Sequence, residues 1–203
     1  MILNKLRRRR AEGTIGAVYG AIVAQARHPA FYRDYGVPDT PTGRFEMIVV
    51  HLALVLRCLA RPPGGTGPLG QGVFDAFCRD MDGNLREMGV GDLAVPKEIW
   101  RMVETFYGRA AAYDRALDMG DATALAQALG RNVFDLPGLS AEPGLSPPVL
   151  SPQVWRLVRY MQEAAQKLSV ATGAVPQDAP PVFPDPGSIA VATTTLRTQG
   201  GAP

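Results

Sequence analysis

The sequence predicts an all-α protein: one helical domain of about six helices, compact, followed by a flexible C-terminal tail rich in proline and alanine. Three observations point there. Aromatics make up 7% of the 203 residues while alanine and arginine are plentiful, which favours helix over sheet. Apolar residues recur at spacings of three and four along several stretches, and Thr-Pro, Gly-Asp and Ser-Pro pairs stand between those stretches where helices start and stop. A hydrophobic content of 46% is enough for one sizeable core.

Taken in order, the first helix is expected from about Thr14 to Ala26, with Ile15, Val18, Tyr19, Ile22, Val23 and Ala26 on one face. It stops near Pro29, and Phe31 and Tyr32 make a short aromatic turn. Thr40 as N-cap and Pro41 at the first helical position open the second helix, whose stripe is Phe45, Ile48, Val49, Leu52, Val55, Leu56 and Leu59. Pro62 and Pro63 end it. The third helix covers about Leu69 to Met88 with Gly89 as a left-handed cap, and Pro96 opens the fourth. That helix turns Ile99, Met102, Val103, Phe106, Ala110, Tyr113 and Leu117 to one side. Gly120 and Asp121 are its stop and the next N-cap, giving a fifth helix to about Val133; Ser151 and Pro152 start the sixth. From Gly173 onward large apolar residues are scarce, so 173–203 reads as a tail, 13–172 as the domain and 1–12 as a basic arm. A second reading of the tail makes Ile189 to Leu196 an extended strand against a neighbouring surface.

Charge is unevenly spread. Lys5, Arg7, Arg8, Arg9 and Arg10 contribute +5 to a formal net charge of +2, so the rest of the chain carries −3. A basic arm on a mildly acidic body suits an anionic surface, phospholipid or RNA. The apolar run after the arginines imitates a secretory signal, but Glu12 lies between the charges and the run, and the run's residues form a helical face. Cys58 and Cys78 are the only cysteines, with neither CxxC spacing nor a disulfide framework. That suits a reducing compartment.

Several short motifs imitate chemistry. Gly65, Gly67 and Gly70 spell the dinucleotide fingerprint, but a helix and two prolines precede them where a strand is required. Asp80, Asp82 and Asn84 open like a calcium loop, yet Leu85 and Gly91 occupy the positions that need glycine and an acid. His28 and His51 have no nucleophile and acid beside them, and His51 reads as a hydrogen-bonded core histidine. Tyr107, Gly108 and Arg109 suggest a helix contact through the small glycine. No catalytic constellation, metal-ligand set or cofactor motif is present in the sequence.

The richest segment is FDAFCRDMDGNLREMGVGD, Phe74 to Asp92. Phe74, Phe77, Cys78, Met81, Leu85 and Met88 share one helical face, while Asp75, Arg79, Asp82 and Arg86 alternate in charge along another. Together with AQARHPAFY (Ala24 to Tyr32), GVPDT (Gly36 to Thr40), GRF (Gly43 to Phe45), Val95-Pro96-Lys97 and FYGRAAAYD (Phe106 to Asp114), this phrase resembles the ubiquinol–cytochrome c chaperones, assembly factors of the respiratory cytochrome bc complex. The match is dense from Tyr19 to Leu117 and fades after Asp135.

The resemblance implies a non-enzymatic helical protein without a cofactor. Such a protein would bind newly made cytochrome b and assist biogenesis of ubiquinol–cytochrome c reductase. It also implies a small co-chaperone, a ribosome contact and a place at the inner-membrane surface, cytoplasmic in a bacterium and on the matrix side in a mitochondrion. On the residues themselves, Asp80, Asp82, Asn84, Arg86, Glu87 and Asp92 are expected to rim a partner-binding face, with Phe74, Phe77 and Leu85 buried beneath. Lys5 and Arg7 to Arg10 are expected to meet the anionic surface. The competing readings are a helical enzyme using Asp80 and Asp82, and an RNA or ribosome-surface binder driven by the arginines.

Overall fold

A computed structural model describes residues 2–60, 67–136, 150–172 and 180–190, and among these the chain is helical with no strand. The helices are α1 (Ile2–Ala26), α2 (Pro29–Arg33), α3 (Pro41–Ala60), α4 (Gly67–Glu87), α5 (Val95–Met119), α6 (Ala122–Asn132) and α7 (Pro152–Thr172), with a 3-10 turn at Pro186–Ser188. Six are long, and α2 is little more than one turn.

The caps are local chemistry, and they fall where the sequence puts them. Thr40 Oγ1 accepts from the Gly43 amide at 3.1 Å. Gly43 itself is required: a Cβ there would lie 2.0 Å from the Pro38 carbonyl oxygen. Gly89 and Gly120 take φ of +83° and +64°, the left-handed conformation that ends α4 and α5. Asp121 Oδ1 accepts from the Ala124 amide at 2.9 Å and so caps α6.

Helix α3 lies at the centre. Every residue from Met47 to Val55 is buried, because α1, α4, α5 and α7 all pack against it. Helix α6 joins α5 to α7, and α1 also packs on α4. The α1–α4 approach is close at Gly72, where a Cβ would come within 2.3 Å of Ile15 Cδ1. Phe74, Phe77, Met81 and Leu85 are buried as expected. Met88 is not: α4 ends at Glu87, and Met88 is 63% exposed.

His51 is fully buried and hydrogen-bonded, as its place on the stripe suggested. Nδ1 lies 2.7 Å from the Met47 carbonyl, and Nε2 lies 2.8 Å from the Tyr160 hydroxyl. Burial lowers its pKa to about 4, so at neutral pH the ring is uncharged. A neutral ring satisfies both contacts by donating from Nδ1 and accepting the Tyr160 proton at Nε2.

Three features depart from the expectations. First, α1 begins at Ile2 rather than Thr14, so the basic segment is continuous with the first helix. Leucine, arginine, lysine and alanine are strong helix formers, and no proline interrupts residues 2–26. Second, the aromatic turn is the helix α2, with the His28 ring accepting from the Ala30 amide. Third, within the stretch expected to be a tail, residues 180–190 lie against the body with Phe183, Pro186 and Ile189 buried. Residues 173–179 and 191–203 lie outside the described residues, as does the rest of the strand reading beyond Ala190.

Candidate functional site

The acid-rich rim resolves into two groups with different jobs. Asp80 is half-buried and turns toward α1, accepting a hydrogen bond from the Tyr19 hydroxyl at 2.7 Å. Burial and this carboxylate together push the Tyr19 phenol far up. Asp82 and Asp92 instead meet across Arg86. Arg86 Nε donates to Asp82 at 2.7 Å one turn along α4, and its guanidinium also pairs with Asp92 beyond the helix end. The Arg86 guanidinium holds the Asp82 carboxyl below the usual carboxylate range. Glu87 is exposed and Asn84 is half-buried on the same helix end. Asp75 accepts from Gln71 Nε2 at 2.8 Å.

Helix α4 continues through Asp80, Asp82 and Asn84, so no loop wraps a cation there. No cluster of three histidine, cysteine or acidic side chains among the described residues is placed to hold a metal. Gly67 and Gly70 lie within the first turn of α4, and Gly65 lies outside the described residues. Neither Cys58 nor Cys78 is in a disulfide.

Beside the Asp82–Arg86–Asp92 group the connection from α4 to α5 exposes apolar side chains. Met88 is 63% and Leu93 99% exposed there, and Trp100, on the first turns of α5, is 65% exposed. Tyr107, seven residues after Trp100 on the same face of α5, is 58% exposed and rests its ring 5.4 Å from that of Phe74. Tyr107 stands at an open cleft of about 360 Å³ between α3, α4 and α5, lined by Leu54, Phe74, Phe106 and Leu117. Arg57 sits at this cleft, paired with both Asp114 and Asp118 of α5. Asp80 and Asp82 do not line it.

The surface that results is apolar, half-open and bordered by paired charges. It presents no nucleophile activated by a base. Contacts of this kind hold an apolar segment by area and keep water-soluble charge around the margin.

One charged pair was not legible in the sequence. Glu46 of α3 is buried, with Oε1 2.5 Å from Arg109 Nη1 of α5, while Oε2 has no hydrogen-bond partner. Burial raises the Glu46 pKa to about 7, with Arg109 pulling against it. The expected contact through Gly108 is absent, since a Cβ at Gly108 would meet nothing within 4 Å. Its neighbour Arg109 makes the helix contact instead. The signal that could have found it is an acid inside an otherwise apolar stripe, Phe45 to Leu59.

The basic residues fall on the first turns of α1. Arg9 and Arg10 are exposed; the side chains of Lys5, Arg7 and Arg8 lie outside those described. No helix among the described residues is long and apolar enough to cross a membrane.

Comparison with known proteins decides the family. The profile of the ubiquinol–cytochrome c chaperones matches residues 33–176. The chain belongs to the ubiquinol–cytochrome c chaperone family. No curated protein matches it. Among solved structures, the chaperone is similar to the crystal structure of the Cbp3 homolog from Brucella abortus, with 35% identity and a TM-score of 0.74. That match covers 94% of this chaperone and 100% of the Brucella chain. The family profile begins at α2 and ends just after α7, so it takes in the rim and the cleft. It leaves out all of α1 and the docked segment 180–190.

Proposed function

We propose that this chaperone binds newly synthesised cytochrome b and assists assembly of ubiquinol–cytochrome c reductase without performing chemistry on it. The observation that carries this reading is the set of exposed apolar side chains Met88 and Leu93 of the α4–α5 connection and Trp100 and Tyr107 of α5, in a chain of this family whose Asp82, Arg86 and Asp92 pair at the same helix end. A membrane subunit awaiting its partners presents apolar helices and charged loops. An apolar row with a charged margin matches both, and its modest size lets the client leave. Glu87, exposed at the same helix end, belongs to that margin.

The test is recovery of cytochrome b with tagged chaperone from membranes of cells that make both. Leu93→Ser with Trp100→Ser should lower recovery at least tenfold, and Asp82→Lys with Glu87→Lys should do so too, with far-ultraviolet circular dichroism unchanged. Full recovery by the folded variants overturns the reading.

The same reading places the chaperone at the cytoplasmic face of the inner membrane, held through Lys5 and Arg7 to Arg10. Each basic residue near an anionic surface contributes on the order of 1 kcal/mol. Flotation with anionic liposomes should fail when these residues become glutamine and when salt is raised. A small co-chaperone and a ribosome would be further partners of the complex so held.

A further inference from the structure

Residues 180–190, PPVFPDPGSIA, lie as a strap along α7, and the way they are held singles them out. Three apolar side chains at intervals of three, Phe183, Pro186 and Ile189, are buried. The Phe183 ring stands edge-on to His51 at 5.1 Å. Between the anchors, the body contacts the strap through side-chain donors to main-chain carbonyls. Lys167 Nζ donates to Phe183 O at 3.0 Å, and Gln25 Nε2 to Pro184 O at 3.1 Å. The Tyr35 hydroxyl donates to Pro186 O at 2.8 Å, and Arg156 Nε to Ile189 O at 2.9 Å.

A wall of donors suits a ligand that brings acceptors and few donors of its own. Proline-rich chain is such a ligand, since each proline keeps its carbonyl and has no N–H to satisfy. Asp185 (φ −69°, ψ 117°) and Ile189 (φ −74°, ψ 115°) are extended on either side of the 3-10 turn Pro186–Ser188, whose three residues per turn bring Pro186 and Ile189 to the same side. The donors are positioned by the body. Arg156 stacks on the Tyr35 ring at 4.4 Å and also donates to Asp34 O, while Gln25 is fixed by the Tyr160 hydroxyl at 3.0 Å. The groove therefore reads main chain and three apolar side chains, and nothing else about sequence.

We propose that this groove is a binding site for proline-rich segments of another polypeptide that are extended around one such turn, occupied in cis by the chaperone's own residues 180–190. The ligand it takes carries an aromatic residue, a proline three positions on and an aliphatic residue three further. The strap is tethered within the same chain, so its effective concentration is high, and an outside segment binds by displacing it. This site is separate from the α4–α5 surface, and cytochrome b binding there neither requires nor excludes it.

The probe is a fluorescein-labelled peptide PPVFPDPGSIA, read by polarisation against the full chain. Binding to the Phe183→Ser, Ile189→Ser variant should be at least tenfold tighter than to the native chain. Adding Arg156→Met and Lys167→Met should weaken it at least tenfold. A peptide with serine in place of its phenylalanine and isoleucine should not bind. Absence of saturable binding to a variant that retains native circular dichroism overturns the proposal, as does equal binding of the serine peptide. Should that variant fail to fold, hydrogen exchange of the native chain decides. An excess of unlabelled peptide must raise deuterium uptake in residues 182–190, and unchanged uptake overturns the proposal.

Discussion

The aromatic cluster beneath the strap and the apolar row at the α4–α5 connection are built from the same kinds of side chain and are finished in opposite ways. In the cluster, Phe31 meets Tyr35, His51 and Tyr160 edge-on at 5.2, 5.4 and 4.8 Å, and all four are fully buried. Its polar atoms are also paired: the Tyr160 hydroxyl with His51 and Gln25, the Tyr35 hydroxyl with Pro186 O. At the connection and on the first turns of α5, Leu93 and Trp100 stay in water, and the charges at the end of α4 pair on the surface. A closed network converts aromatic area into stability. An open one leaves that area available to another molecule.

The strongest way to break the comparison is truncation on both sides of it. Phe31→Ala should lower the unfolding free energy by about 3–5 kcal/mol, since it opens a cavity among three rings. Trp100→Ala should change it by less than about 0.5 kcal/mol. Urea denaturation measures both, and a comparable loss from Trp100→Ala would make the connection part of the core.

The next effect comes from pH. His51 has a folded pKa of about 4 against an ordinary 6.5, so the unfolded chain binds the extra proton and stability falls as pH drops from 6.5 toward 4. Glu46 does the opposite. Its pKa of about 7 against 4.5 means the folded chain holds the proton, and stability falls as pH rises from 4.5 through 7. The two slopes oppose each other between pH 4.5 and 6.5, so the native profile should be nearly flat there. Glu46→Gln should leave the His51 effect unopposed, with stability declining by roughly 3 kcal/mol from pH 7 to 4. Chemical denaturation across that range measures the slope, whatever the variant's level at pH 7; a flat profile would show that His51 is not held neutral.

The smallest effect belongs to the surface charges. Asp82→Asn and Asp92→Asn should leave the melting midpoint unmoved in 0.15 M salt, because exposed ion pairs contribute little. The same variants sharpen the comparison only if recovery of cytochrome b falls while the midpoint stays. A fall in both would mean the pairs hold the end of α4 in place.

Legibility in the sequence followed the range of the interactions. The stripe from Phe74 to Leu85 was readable because helical periodicity is a local property; Met88 escaped it because the Gly89 cap ends the helix one residue earlier. The six residues assigned to the rim divided on folding. Asp80 found Tyr19, 61 positions away, while Asp82, Arg86 and Asp92 stayed within one helix end. The strap was invisible for a different reason. Its anchors repeat every three residues among prolines, a pattern that helix and strand periodicities both miss and that composition reads as tail.

By itself the sequence determined the helical class, the caps at Thr40, Gly89, Gly120 and Asp121, and the family, through a long charged phrase no short motif could supply. Tertiary structure alone decided that Glu46 is buried against Arg109, that Asp80 is used inside the fold and that residues 180–190 lie along α7. The physical reason is the same in each case. Capping and periodicity are settled within a turn or two of chain, whereas burial of a charge, capture of a hydroxyl and docking of an extended segment depend on surfaces brought together from distant positions.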